Sequence, residues 1–193
     1  HVNSGLKLYM ESAIAAPVTI TAITKAAPGV LSATGHTFAN GDTVLLEIQG
    51  MVELHGYLCK VVNVVASTSF QVAGVDGTAG IDTTLFSTFS SGTAKKVTLG
   101  TSIVGVQEFA FAGGEIKTTD TTTVNDTVDT QIVVGATAQS ADMTMQWDPS
   151  AAAQQAMITA FKTRSNKGFK VLWPDGAFAM WAGTVGNTGA PGG

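Results

Sequence analysis

Short strand-like runs recur through residues 16–96 of the chain. Residues 18–23 alternate between larger apolar and small or polar side chains, and residues 44–48 and 58–65 are mostly apolar. Turn residues such as Pro28 and Gly29 separate these runs at intervals of about ten residues. About five or six strands at that spacing, with no helical pattern among them, predict a compact β-barrel.

The first residues predict a strand of their own. Leu6, Leu8 and Met10 alternate with residues of other character, so residues 6–11 predict a strand with one buried face. Residues 12–17 are mostly small and end in proline, and we interpret them as a linker.

Residues 97–193 predict further strands. Residues 103–109 and 115–119 have strand character, and residues 141–147 alternate cleanly. The alternation of this third run puts Met143, Met145 and Trp147 on one face.

A helix followed by a hairpin is predicted next. Asp148 suits the N-cap and Pro149 the first helical position of a helix over residues 149–164, and Gly168 suits the stop after it. Residues 169–181 then predict a hairpin with a Pro-Asp-Gly turn. The predicted buried face of the helix consists of Ala153, Ala156, Met157, Ala160 and Phe161.

Charge and cysteine content exclude several functions. Charged residues are 12% of the chain, about half the usual share. The net charge of −4 argues against nucleic-acid binding, because binding to phosphates requires clustered Lys and Arg residues. The single cysteine, Cys59, excludes an internal disulfide. No apolar run approaches the roughly 18 residues of a membrane span, so we expect no membrane anchor.

Residues able to carry chemistry form no convincing site. We interpret His36 and His55 as structural, and Cys59 as a buried, inert thiol among apolar neighbours. The acidic cluster lacks the ligand spacing of a calcium loop and is interpreted as solvated: Asp120, Asp126 and Asp129. The tryptophans could stack on sugars but are interpreted as core: Trp147, Trp173 and Trp181. We expect neither an enzyme, nor a metal site, nor a cofactor.

Four elements carry a resemblance to a known family. The run Trp-Asp-Pro-Ser-Ala-Ala-Ala-Gln-Gln-Ala at residues 147–156 resembles a segment of the tail tube (major tail) proteins of long-tailed, lambda-like phages. Residues 169–176 resemble that family's strand and Pro-Asp-Gly turn. Residues 115–119 and 5–9 are similar to two further family elements, and all four occur in the family's order.

The long separation between the first two tube-like elements carries a second resemblance. Residues 17–24, 35–42, 50–56 and 61–64 resemble a small β-barrel that recurs in phage structural proteins and is similar to the first catalytic-cysteine half-domain (FCCH) of ubiquitin-activating enzymes. No adenylation motif accompanies it, so Cys59 inherits no catalytic role. The resemblance implies a tube-like domain of residues 1–15 and 97–193, with residues 16–96 inserted as an outward decoration.

The family resemblance implies a fold, an assembly and a location. The fold is mainly β, a sandwich or barrel with one flanking helix near residues 149–164. The subunits form rings, hexameric in the family, that stack into a tube conducting DNA during ejection. The location is the virion tail, assembled in the host cytoplasm. The implied partners are further copies of the chain and other tail proteins, such as the tape measure, distal tail and terminator proteins.

The Thr- and Asp-rich segment is predicted to be a loop, and the resemblance implies that it contacts a neighbouring subunit or ring. Its residues are Thr118, Thr119, Asp120, Thr121, Thr122, Thr123, Val124, Asn125, Asp126, Thr127, Val128, Asp129 and Thr130.

Two further expectations concern charge and edges. Outside residues 16–96 the chain has 9 acids against 6 bases, so an acidic lumen that lets DNA slide is expected. Family members continue past the second hairpin strand, whereas this sequence stops, so either the sequence is truncated or a partner supplies the missing edge, since an unpaired edge strand favours association. Two functions other than a tail tube subunit stay open from the sequence. One is a surface-exposed β module that binds a host surface or a glycan, and the other is another phage tail or head completion or decoration protein.

Overall fold

The computed structural model describes residues 5–73, 77, 79–112, 116–120, 131–136 and 139–186, with the backbone alone for 116–120 and 131–136. Strands dominate, so the mainly β prediction is confirmed. The elements are β1 Lys7–Met10, β2 Ala13–Ile14, β3 Val18–Ile20, β4 Ala22–Ile23, β5 Leu31–Ser32, β6 Thr43–Gln49, β7 Leu58–Val65, β8 Ser69–Val72, β9 Ser91–Thr98, β10 Thr101–Ile103, β11 Val106–Ala112, β12 Ile116–Asp120, β13 Gln131–Ala136, β14 Ser140–Met145, α1 Ala152–Thr163, β15 Asn166–Leu172 and β16 Phe178–Thr184.

Residues 13–98 build one eight-stranded antiparallel sheet. Its order is β2-β9-β6-β7-β8-β5-β4, and β3 pairs with β9 beside β2. Alternation along β6 turns Val44, Leu46 and Ile48 inward, where at most 1% of each is exposed. They join Phe70, which is fully buried, in a single hydrophobic core. A 3-10 turn at Val52–Leu54 is the helical element described within this sheet region.

A four-stranded sheet follows the order β10-β1-β15-β16. Leu8 and Met10 of β1 are buried, as the alternation of residues 6–11 predicts. The predicted hairpin is confirmed as β15 and β16, since Trp173 N donates to the Ala177 carbonyl at 2.8 Å across the turn. Gly176 closes that turn at a φ of 89°, a conformation that glycine adopts without strain.

A buried carboxylate joins β1 to β15 in this sheet. The Glu11 side chain is 5% exposed and accepts from Lys167 Nζ at 3.0 Å. Its other oxygen accepts from the Gly168 amide at 3.2 Å, and Glu11 N donates to the Gly168 carbonyl at 2.8 Å. Gly168, predicted to stop the helix, instead lies buried inside β15. A Cβ there would meet Leu58, Val97 and Leu99 at 3.2–3.4 Å.

The helix begins later than predicted. Asp148 does not cap α1: its Oδ1 accepts from Ser150 N at 2.9 Å and from Ser150 Oγ at 2.7 Å, forming a turn before the helix. The hydrogen bond from the Ser150 hydroxyl has the largest effect in lowering the pKa of Asp148, and the bond from the Ser150 amide lowers it further. The N-cap is Ala151, which offers no side-chain cap, and the C-cap that follows Thr163 is Arg164, in the left-handed conformation.

The predicted buried face of α1 is partly confirmed. Ala153, Met157 and Ala160 are buried, whereas Phe161 is 41% exposed. Gln154 takes a buried place that was not predicted, and its Oε1 accepts from Asp148 N at 3.0 Å.

Two strands were missed because their sequences are poor in large apolar residues. The predicted linker at residues 12–17 contains β2, and the Gly-, Ser- and Thr-rich end of the barrel region leads into β9. β9 pairs with β2, β3 and β6, so partners distant in sequence fix it as a strand. The predicted strand at residues 103–109 is interrupted at Gly105, whose φ is 77°.

Residues 105–147 cluster as a separate unit. In it, β11 pairs antiparallel with β14, and β12 pairs antiparallel with β13. We call the β11–β14 pair together with the β12–β13 pair the ribbon. No helix in the described part of the chain is long and apolar enough to span a membrane.

Candidate functional site

The candidate chemical residues are held in structural roles. His36 is 2% exposed and stacks on Phe38 at 5.4 Å. Its Nδ1 accepts from Phe38 N, so its Nε2 carries the proton shared by the Val65 and Ser69 carbonyls, each at 3.2 Å. His55 Nδ1 lies 2.9 Å from the Ile48 carbonyl. The described residues contain no group of three or more potential metal ligands.

Cys59 is a buried thiol, as predicted. It is 3% exposed on β7, and its Sγ lies 3.8 Å from the Val44 carbonyl. Burial raises the pKa of the thiol to about 12. Because the thiolate is the reactive form, this cysteine is inert at neutral pH in the folded protein.

A labelling experiment checks this assignment. With a thiol-reactive dye at pH 8, we expect less than about 5% modification of the native protein in an hour, because the thiolate fraction is on the order of 10⁻⁴ at that pKa. Full modification of the single thiol is expected after unfolding in guanidinium. Rapid stoichiometric labelling of the native protein would contradict a buried, protonated Cys59.

The three tryptophans do not share one environment. Trp181 stacks on Phe169 at 5.7 Å, and Trp173 is half-buried beside the hairpin turn. Trp147, which was predicted to share a face with Met143, lies beyond the end of β14 and is 45% exposed.

The edge of the four-stranded sheet is a first candidate site for association. Within the described residues, β16 pairs with β15 on one side and with no strand on the other. Trp173 and Ala177 are a hydrogen-bonded pair, and hydrogen-bonded pairs alternate along an antiparallel ladder. The N–H groups of Ala179, Trp181 and Gly183 therefore point towards β15. The N–H groups of Phe178, Met180 and Ala182 therefore point to the open edge. The short strand β10 forms the opposite edge of this sheet.

The ribbon carries a second candidate site, an apolar face. A register shift between Val106 and Glu108 inserts one extra residue, so Val106 opposes Met145 while Phe109 opposes Met143. Without this bulge, strict alternation would put Val106 and Phe109 on opposite faces. The apolar ribbon face therefore comprises Val106, Phe109, Phe111, Ala141, Met143 and Met145.

Exposure distinguishes the two faces of the β11–β14 pair. Phe111 is 52% exposed and packs edge-on against Phe109 at 5.0 Å. The other face contains Glu108, Ala112 and Thr144, all exposed. An isolated pair of strands is only marginally stable in water, so an apolar face on the β11–β14 pair is suited to burial against another surface.

The predicted contact loop, residues 118–130, begins within β12 and precedes β13 in the sequence. Its first three residues, Thr118, Thr119 and Asp120, are the end of β12 rather than loop. β12 pairs with β13, whose Gln131 opposes Asp120. The remaining predicted loop residues, 121–130, lie outside the described residues.

A cleft lies where the eight-stranded sheet meets the four-stranded sheet. Its volume is about 350 Å³, and its walls include Tyr9, Lys96 and Lys170. Asp42, the acid in its lining, pairs with Lys96 at 2.8 Å. Burial raises the pKa of Asp42, but the hydrogen bonds from Lys96 and from the Ala39 amide and the Lys96 charge together lower it below its ordinary value.

Comparison with known proteins gives one family. A family model described as "Phage tail tube protein, TTP" matches residues 50–192, about three quarters of the chain. The match begins inside the eight-stranded sheet and includes the ribbon, the helix and the final hairpin. No curated protein matches the chain.

Proposed function

Because the chain belongs to the phage tail tube protein family, we propose that its copies close into rings of six and that these rings stack into the tail tube of a long-tailed phage. The family is one of structural virion tail proteins and not of enzymes. In this proposal the tube conducts DNA during ejection, and the chain assembles in the host cytoplasm with the tape measure, distal tail and terminator proteins.

The observation that carries the ring proposal is the four-stranded sheet with β16 at one edge and β10 at the other. Joining one edge of a copy to the opposite edge of the next is a head-to-tail contact, which closes into a ring when the rotation suits. The open backbone groups of an edge strand favour such pairing. In the seven-residue strand Phe178–Thr184, the N–H groups of Phe178, Met180 and Ala182 point away from β15 and are placed for it.

The ribbon supplies the second contact in the proposal. Burying the apolar ribbon face against a neighbouring copy removes the exposed Phe111 ring from water. The predicted loop between β12 and β13 then reaches a neighbouring subunit or ring. Low charge over the chain also suits extensive burial between subunits.

We propose the inserted domain in modified bounds. The eight-stranded sheet is continuous from β2 to β9, which supports an insertion near residues 13–98 rather than residues 16–96. The inserted domain also contacts the tube-like sheet, since Leu58 and Val97 pack beside Gly168. We propose that it faces outward, while DNA slides past the acid excess of the tube-like part without specific binding.

A proline at the open edge tests ring formation. Ala182→Pro removes an outward N–H and leaves the ladder to β15 intact, because prolines are tolerated at edge positions of this kind. We expect the concentration needed for assembly to rise at least about tenfold, which corresponds to roughly 1.4 kcal/mol. Sedimentation velocity over a concentration series measures this threshold.

The matched control for the edge is Ala182→Val, which keeps the N–H and has a strong strand preference. It should assemble at the wild-type concentration. If Ala182→Pro also assembles at the wild-type concentration while remaining folded, β16 is not the joining edge.

A further inference from the structure

We propose that the cleft between the two sheets is a docking site for the acidic β12–β13 segment of a neighbouring copy. This inference rests on the proposed function, because it requires that copies of the chain assemble. The cleft is then the surface of one copy that receives this segment of the next.

Two lysines beside the cleft lie close to the same aromatic ring. Lys170 lines the cleft, and its Nζ lies 5.3 Å from the centre of the Phe178 ring. Lys60 Nζ lies 5.9 Å from the same ring centre, and its Cε runs past Gly41 in the cleft wall. Aromatic contacts of this kind hold an ammonium group without neutralising it.

Positive charge exceeds negative charge among the described residues around the cleft. Lys96 pairs with Asp42, whereas neither Lys60 nor Lys170 has a carboxylate within 4 Å in the described structure. Counted over the described residues alone, these three lysines and Asp42 have a net charge of +2, although the whole chain has −4. We call Lys60, Lys96 and Lys170 the lysine cluster. Half-buried unpaired ammonium groups are suited to receiving an anion.

The sequence contains an acidic segment that can supply the anion. Residues 118–130 contain Asp120, Asp126 and Asp129 and no basic residue. Each copy has one such segment and one cleft. In a head-to-tail assembly every lysine cluster therefore receives a segment from a neighbouring copy, except at the end of the assembly.

DNA is the less favourable occupant. Phosphate binding gains from the release of several counterions, and a cluster of net charge about +2 on an acidic chain offers few. A carboxylate-bearing segment needs only two or three well-placed cations, and it fits a shallow cleft of about 350 Å³.

Charge exchange tests the inference. Lys60→Glu with Lys170→Glu should raise the assembly concentration at least about tenfold, and Asp126→Lys with Asp129→Lys should do the same, because like charges then face each other. The four substitutions in one chain restore complementarity and should bring the threshold back to within about threefold of wild type. Electron microscopy and sedimentation velocity measure it.

Two controls separate charge from folding. Lys25→Glu with Lys162→Glu changes the net charge equally, but these exposed residues lie on the β4–β5 connection and on α1, so assembly should be unaffected. Lys60→Met with Lys170→Met keeps the aliphatic stems beside Phe178 and removes the charge, so it should raise the threshold less than the glutamates do. Circular dichroism confirms that each variant is folded.

The outcomes distinguish this inference from the proposed function. If wild-type protein forms no rings or tubes, the proposed function fails and the inference with it. If wild type assembles and the Lys60→Glu, Lys170→Glu variant assembles equally well, the inference alone is overturned. It is also overturned if both reversed pairs fail and their combination does not recover.

Discussion

Phe111→Asp is expected to abolish assembly while leaving the subunit folded. Phe111 is 52% exposed on the apolar ribbon face, so about half of it remains in water in the isolated subunit even though its ring packs edge-on against Phe109. Circular dichroism checks that the variant is folded. In the assembled state it would bury an unpaired carboxylate, which costs several kcal/mol in an interface. We expect no rings or tubes at concentrations about a hundredfold above the wild-type threshold, as measured by light scattering and electron microscopy.

Ala112→Asp is the matched control for this prediction. Ala112 is the next residue of β11 and is exposed on the other face, opposite Ser140. It adds the same charge to the same strand and should permit assembly. Normal tubes from Phe111→Asp, or an equal loss from both variants, would mean that the apolar ribbon face is not an interface.

Glu11→Ala is expected to produce the largest loss of subunit stability among the charged residues described. It removes both acceptors that hold Lys167 Nζ and the buried Gly168 amide. An uncompensated amide and a partly buried ammonium together cost about 2–4 kcal/mol, reduced by the 29% exposure of Lys167. Urea unfolding below the assembly threshold, with an unchanged slope, measures the loss.

The control for Glu11 is an exposed pair of the same chemistry. Glu47→Ala breaks the Lys95–Glu47 bridge of 2.7 Å, in which the Glu47 side chain is 44% exposed. Exposed bridges contribute at most about 1 kcal/mol, so the urea midpoint should move little. Equal shifts in the two variants would show that burial of Glu11 does not matter to its ion pair.

Strong local patterns made part of this fold predictable. The alternation of residues 6–11 predicted the burial of Leu8 and Met10, and the Pro-Asp-Gly turn predicted the final hairpin. In these elements the local preference and the tertiary contacts agree, so a short window of sequence contains enough information.

Elements fixed by distant partners were not predictable. β9 has few large apolar residues and is a strand because β3 and β6 flank it. Asp is a residue type that favours the N-cap position. In Asp148, however, the carboxylate accepts hydrogen bonds from the amide and the hydroxyl of Ser150 instead of capping α1. Composition could not reveal which of these competing bonds forms.

The candidate sites depend on register and long-range pairing. The Thr- and Asp-rich segment was recognised, but its first residues extend β12. The apolar ribbon face depends on a bulge beside Gln107, which shifts every later residue relative to simple alternation. The lysine cluster forms because β7, β9 and β15 bring together residues that are 36 to 110 positions apart in the sequence.

Negative-stain electron microscopy of the purified protein over a concentration series tests the central claim most directly. The account predicts rings with a central hole that stack into tubes as the concentration rises, and class averages with six subunits per ring. Well-folded particles that stay monomeric at every concentration, or that associate without a hole, would contradict it.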